Sequence, residues 1–174
     1  MCDEAHKYGI KVIVDVIANH TTPSTDEVSK DLIKAGGGSL ETLYHKEGRT
    51  PLNDFGDRLA CTTHEMGGLP DINTERPSFQ KYFFNYINDC IACGADGFRY
   101  DTAKHIGLSD DPKEDDGFKN NFWEKATKEV DNAENLFIYG EVLQGDNDRL
   151  ADYIGANRPC LLYTSPSPRD MRRS

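Results

Sequence analysis

Hydrophobic and polar positions change period several times along this chain, and each change marks an element. Lys11-Val12-Ile13-Val14-Asp15-Val16-Ile17 is a nearly unbroken β-branched run. Such side chains lose χ1 freedom in a helix and pack well on a pleat, so the run predicts a buried strand. From Pro77 to Cys93 the period becomes helical, with Phe79, Phe83, Tyr86, Ile87 and Cys90 on or near one face. Pro77 suits a first helical turn and Gly94 a stop. Ala95 to Asp101 predicts the next strand, Phe118 to Val130 a helix, and Leu136 to Glu141 a third strand. Asp146 or Asn147 then caps a helix carrying Leu150, Tyr153 and Ile154. Residues 1–8 read as the last turns of a helix that ends at Gly9.

Strand, helix, strand, helix, strand predicts parallel strands joined by crossover helices. An open sheet and a barrel both fit that alternation, and both seat ligands at the carboxyl ends of their strands. The connection from the first strand to its helix, residues 21–76, is far longer than such a connection needs. Rich in Ser, Thr, Asn, Asp and Gly, it predicts a small subdomain inserted at the ligand-binding face. No internal repeat is present.

Composition narrows the partners. The 174 residues carry 20 Lys and Arg against 30 Asp and Glu, a net charge of −10. That balance argues against nucleic acid, whose phosphates require a basic stripe. No run of 18 apolar residues exists to span a membrane. Met1-Cys2-Asp3-Glu4 is polar where a signal peptide would be apolar. Five cysteines (Cys2, Cys61, Cys90, Cys93 and Cys160) are an odd number and argue against a closed disulfide framework. Cys90 and Cys93 form a CxxC within a helical pattern, which reads as two small core-facing residues rather than redox or metal chemistry. The acidic stretch Asp110 to Asp116 lacks the alternating ligand spacing of a calcium hand and reads as a solvated loop.

Both ends depart from the expectations for a domain. A domain seldom begins at the end of a helix, so Met1 reads as an internal methionine. Residues 160–174 are Ser-, Pro- and Arg-rich, and removing their three Arg and one Asp moves the charge from −10 to −12. Cys160 to Asp170 resembles one reading frame of a transposon-type sequencing adapter, so 160–174 is read as a non-native tail. The fold expectation therefore rests on residues 1–159.

Each strand carries an acid at or near its end: Asp15, Asp101 and Glu141. Charges on buried strands are expected to be paired or functional. Residues two apart on a strand share a face, so Arg99 and Asp101 point one way and Phe98 and Tyr100 the other, towards helices. An Arg beside it favours the charged form of Asp101, and an ionised Asp facing a cleft is a candidate nucleophile; a structural ion pair explains the same pattern. Glu141, one strand further, suits a general acid made protonatable by partial burial beside a negative charge. Two such carboxylates about 5–5.5 Å apart form the retaining-glycosidase arrangement, and parallel neighbouring strands permit it. His20, Lys104 and His105 add donors suited to sugar hydroxyls, and Asn19 offers an oxygen to a hard cation. The rival reading is a Mg²⁺-dependent enolase-like barrel, in which an Arg aimed at the central carboxylate would compete with the metal.

Asp15-Val-Ile-Ala-Asn-His20, Leu69-Pro-Asp-Ile-Asn73, Gly97-Phe-Arg-Tyr-Asp-Thr-Ala-Lys-His105 and Tyr139-Gly-Glu-Val142 resemble, in order and spacing, four regions of the α-amylase family, glycoside hydrolase family 13. The resemblance spans nearly all of 1–159 and is greatest to secreted bacterial α-amylases of the Bacillus subtilis type. It implies part of a (β/α)8 barrel, about strands three to five with their helices. Residues 1–20 would form the strand-three region, 21–76 the inserted domain B, and 77–159 helix three to helix five. It implies Asp101 as nucleophile, Glu141 as general acid/base and Arg99 as the group orienting the nucleophile. Asp15, His20, Lys104 and His105 would contact an α-1,4-glucan such as starch or a maltooligosaccharide. The Lys-His pair and Leu69-Pro70 favour that substrate over α-1,6 bonds. A calcium ion would be held by Asn19, Asp71, Thr62 and the carbonyl of His105, joining domain B to the barrel. Asn19-His20-Thr21 also fits a glycosylation sequon, but Asn19 is expected to be buried.

The departures set a limit. A complete barrel needs about 250 residues, and the family's third acid, an Asp after the seventh strand, has no counterpart here. This chain is therefore expected to be an inactive part of an enzyme that is a monomer when complete. Another member of the family, such as an α-glucosidase, maltogenic amylase or glucanotransferase, remains an alternative. A non-catalytic glucan-binding relative would be expected to have lost Asp101 or Glu141.

Overall fold

The computed structural model describes residues 1–142, 149 and 151–153. Three short strands form one parallel sheet in the order β1 (Ile13–Val16), β2 (Gly97–Tyr100), β3 (Phe137–Gly140). Asp15, Arg99 and Tyr139 lie in register on one face. Val16, Phe98, Tyr100 and Ile138 turn to the other face and are buried. Gly97 is required where β2 meets β3, because a Cβ there would lie 2.0 Å from the Phe137 carbonyl oxygen.

The buried face packs against α5 (Pro77–Ala92) and α6 (Phe122–Lys128). Their rings interlock with the sheet: Phe84–Phe122 and Phe122–Trp123 centroids lie 5.2 Å apart, and Tyr100–Trp123 5.4 Å. The core face of α5 is Phe79, Gln80, Phe83, Phe84 and Ile87. Tyr86, expected on that face, is instead 44% exposed. Cys90 packs beside the core, whereas Cys93 caps the helix and is exposed, so only the first cysteine of the pair faces inward.

The strands are shorter than the hydrophobic runs that predict them, and α6 begins four residues later than its pattern. Asn120 donates to the Asp111 carbonyl, and Asn121 accepts from Gln80 of α5. With those side chains committed elsewhere, the helix starts after them. Asn88 of α5 closes its other end, donating to the Glu129 carbonyl and accepting from Asp131 N–H. At the N-terminus α1 (Cys2–Lys7) ends at Gly9, whose φ is 70°.

Residues 21–76 fold into the short helices α2 (Lys30–Ala35), α3 (Leu40–Leu43) and α4 (Arg58–Cys61) with long connections. Leu43, Tyr44 and Ile72 join the same hydrophobic core as the sheet, and Leu32 and Ile33 pack against it. The segment returns beside the end of β1, where Ile72 N–H donates to the Asn19 carbonyl at 2.7 Å and Thr21 N–H to the Pro70 carbonyl. The 110–116 stretch corrects the sequence expectation. Asp111 is buried beneath Arg58, Glu114 accepts from Lys46 N–H, and Asp116 accepts from Asn73.

The other sheet face is open, with Ile17, just past β1, 53% and Phe137 of β3 46% exposed. Among the described residues no helix is long and apolar enough to cross a membrane. The expected cap at Asp146 or Asn147 and the proposed tail at 160–174 lie outside the described residues; Tyr153 lies within them and is buried.

Candidate active site

One guanidinium gathers the strand-end acids. Arg99 Nη1 donates to both carboxylate oxygens of Asp15, at 2.7 and 2.8 Å, and to Asp101 Oδ1 at 2.9 Å. Its Nη2 lies 3.0 Å from Glu141 Oε2. Parallel register causes this convergence, because Asp15 and Arg99 are partners across β1 and β2 while Asp101 and Glu141 follow the ends of their strands. Three carboxylates sharing one cation leave the cluster net negative. Both oxygens of Asp15, expected as a substrate contact, are engaged by Arg99. Glu141, expected beside a negative charge, meets the Arg99 cation on this side.

Behind Asp101 the backbone turns sharply. Thr102 has φ 48°, a left-handed conformation that is costly for a β-branched residue, and its N–H points at Glu141 Oε2 at 3.4 Å. His20 Nε2 lies 3.9 Å from Asp101 Oδ2. Burial lowers the His20 pKa from its ordinary value, opposed by the Asp101 charge, so a neutral imidazole faces the acid.

Beside these acids opens a cavity of about 360 Å³ lined by Phe55, Met66, Thr102, Lys104, His105 and Glu141. The Lys104 ammonium sits 5.3 Å from the Phe55 ring centroid, and Phe55 meets His105 edge-on at 6.2 Å. The His105 Nδ1 lies 2.7 Å from the Cys61 carbonyl, to which it donates, and burial depresses the ring's pKa to about 4. Sequence reasoning missed Phe55 and Met66. The available signal was an aromatic within the polar run Asn53-Asp-Phe-Gly-Asp57, where no core pattern explains it.

A second buried cluster lies under the insertion. Asn19 Nδ2 donates to Asp71 Oδ2 at 2.6 Å and to the His105 carbonyl at 3.2 Å. His45 bridges Asp71 at 2.6 Å and Glu75 at 2.7 Å. Burial opposes a charged imidazole, but the two carboxylates overcome it and raise the His45 pKa to about 10. Burial pushes Asp71 up to about 7 against the pull of that imidazolium. An amide, a carboxylate and a backbone carbonyl meeting at one buried point suit a hard cation once the Asn19 amide presents its oxygen. Thr62 is not brought to this point; its hydroxyl donates to the Arg58 carbonyl at 2.9 Å. Asn19 is buried, so its sequon is closed to glycosylation.

Residues 1–161 match the α-amylase catalytic-domain family. The chain belongs to the α-amylase family. Over 168 residues it is 49% identical to the α-amylase of Butyrivibrio fibrisolvens, a match covering 88% of this chain and 17% of that protein. It is 36% identical over 156 residues to an α-amylase of Clostridium acetobutylicum, covering 88% and 20%. A cyclomaltodextrin glucanotransferase of Geobacillus stearothermophilus is 27% identical over 161 residues, covering 85% and 20%. The chain thus spans about a fifth of the length of these relatives. The α-amylase of Geobacillus thermoleovorans, solved in complex with acarbose, superposes with a TM-score of 0.67 at 26% identity, covering 90% of this chain and 31% of that one. The three strands and their outer helices are therefore part of a (β/α)8 barrel, and membership of the family sets aside the enolase-like reading.

Proposed function

We propose that these residues form part of the active site of a retaining enzyme that cleaves α-1,4-glucosidic bonds of starch-like glucans. The observation that carries this reading is the sharing of Arg99 by Asp101 and Glu141 beside an open cavity. Asp101 attacks the anomeric carbon while Glu141 protonates the departing oxygen; Glu141 then activates the water that releases the glycosyl-enzyme. Arg99 aims Asp101 through its 2.9 Å contact, and His20 donates to the sugar being cleaved. Lys104, His105, Phe55 and Met66 receive the leaving-group sugars, with Phe55 as an apolar ring face. Asn19, Asp71 and the His105 carbonyl would hold calcium, which when bound would tie the 21–76 segment to the strand ends.

The chain alone is expected to turn over no starch, because the face carrying Asp15 and Arg99 stands open to water. Activity is tested by replacing the matching segment of the B. fibrisolvens α-amylase with residues 1–142. The hybrid should hydrolyse starch, and Asp101→Asn or Glu141→Gln should lower kcat by roughly a thousandfold or more. A folded hybrid without activity, or with activity untouched by both substitutions, contradicts the reading. Cyclic products would indicate a glucanotransferase, in keeping with the relative from G. stearothermophilus.

A further inference from the structure

The single 3₁₀ turn Ala103–His105 carries the Lys104 and His105 side chains to the cavity, and its internal bonds are those from His105 N–H to the Thr102 carbonyl and from Ile106 N–H to the Ala103 carbonyl. Its later carbonyls are held from outside. The Tyr153 hydroxyl lies 2.7 Å from the Lys104 carbonyl and 3.0 Å from the Ile106 carbonyl. Arg58 Nη1 donates to the same Lys104 carbonyl at 3.3 Å, and its Nη2 donates to the Tyr153 oxygen at 2.8 Å. Arg58 is fixed in turn by a two-pronged contact to Asp111, at 3.0 and 2.6 Å. Asp111 also accepts from Leu108 N–H at 2.8 Å. Three distant stretches, α4 of the insertion, the 107–121 loop and Tyr153 beyond β3, therefore meet beneath one turn. With the Lys104 and Ile106 carbonyls held by the pair, the intervening His105 carbonyl faces Asn19.

We propose that Arg58 and Tyr153 are a positioning pair that sets the Lys104–His105 turn, and with it glucan binding on the leaving-group side. The inference rests on the glucan reading of the cavity. The pair touches no substrate; it acts through the backbone of the residues that do. Ordinary core packing would need neither a guanidinium nor a hydroxyl at these points, since each costs free energy to bury unless its bonds are made.

The test uses the full 174-residue chain, isotope-labelled, with Tyr153→Phe and Arg58→Lys. Tyr153→Phe keeps the ring and leaves Arg58 paired with Asp111; Arg58→Lys keeps the charge but loses the fork. The first readout is the ¹⁵N signature of the His105 imidazole. It should show a single Nδ1–H tautomer in the parent chain and a mixture in both variants, while the strand amides keep their shifts. The second is maltotriose titration, followed at Phe55, Lys104 and His105. Each variant should weaken the dissociation constant by about fivefold, the worth of one hydrogen bond. Unchanged tautomer and unchanged maltotriose affinity in both variants would overturn the proposal. So would loss of signals throughout β1–β3 together with His105, which would make the pair merely structural. If the parent chain keeps the single tautomer but maltotriose moves nothing in the cavity, the glucan reading fails, and the positioning claim is decided by the tautomer alone.

Discussion

Tyr100 shows how a single residue can satisfy its neighbours and not itself. Its ring is 1% exposed among Phe83, Phe122 and Trp123, where apolar contact is maximal. Its hydroxyl has no hydrogen-bond partner among the described residues, and burial drives its pKa upward. A buried, unmade hydrogen bond costs free energy that a phenyl ring does not. Tyr100→Phe is therefore expected to stabilise the chain by about 1 kcal/mol, read as a higher urea midpoint at constant slope. A lower midpoint would mean the hydroxyl is bonded. The site residues behave differently: Arg99, one position earlier and on the opposite face, has Asp15, Asp101 and Glu141 as partners. Alternation along one four-residue strand thus separates core from chemistry.

At the scale of elements, Asp96 joins three of them. Its carboxylate accepts from Lys11 at 2.8 Å and from Val12 N–H at 2.8 Å, and lies 2.7 Å from His6 Nε2 of α1. The Lys11 contact foremost, then the Val12 N–H and His6, holds its pKa well below the ordinary carboxylate range. A depressed folded-state pKa means that the unfolded chain binds the proton more readily, so this stabilisation is present above about pH 4 and is lost as pH falls below it. Asp96→Asn should accordingly lower stability at pH 6, and the gap from the parent should be smaller at pH 3 in urea unfolding, closing only below the depressed folded-state value. An equal gap at both values would refute the assignment. The elements themselves were legible in the sequence because period and punctuation agree: the run at 11–17, Pro77 and Gly94 each act locally. The start of α6 was not legible, since it depends on Asn121 meeting Gln80. Nor was the burial of Asp111, whose partner Arg58 lies in another element and belongs to no periodic pattern. Asp101, Arg99 and Glu141 were legible from alternation and from the family resemblance, whereas Phe55 was not, because its role depends on where a loop comes to rest.

For the whole molecule, one buried cluster joins the 21–76 segment to the strand ends. Asn19 after β1, Asp71 in the insertion and the His105 carbonyl after β2 meet there. Calcium binding is expected to raise the melting temperature of the chain in proportion to the logarithm of free calcium. Asp71→Asn should abolish that dependence, and magnesium should reproduce little of it, since it prefers stricter octahedral geometry. A melting temperature indifferent to calcium in the parent chain would remove the metal from the joint. The central claim, however, is the covalent role of Asp101. It is tested most directly by treating the B. fibrisolvens hybrid with a fluorinated maltosyl fluoride that slows deglycosylation, then digesting with trypsin. Cleavage after Arg99 and Lys104 releases Tyr100-Asp-Thr-Ala-Lys104, in which Asp101 is the only side-chain carboxylate. The expected result is one glycosyl adduct on that peptide, absent after Asp101→Asn. An adduct on any other peptide, or none while the reagent is turned over, would contradict the assignment of Asp101 as nucleophile.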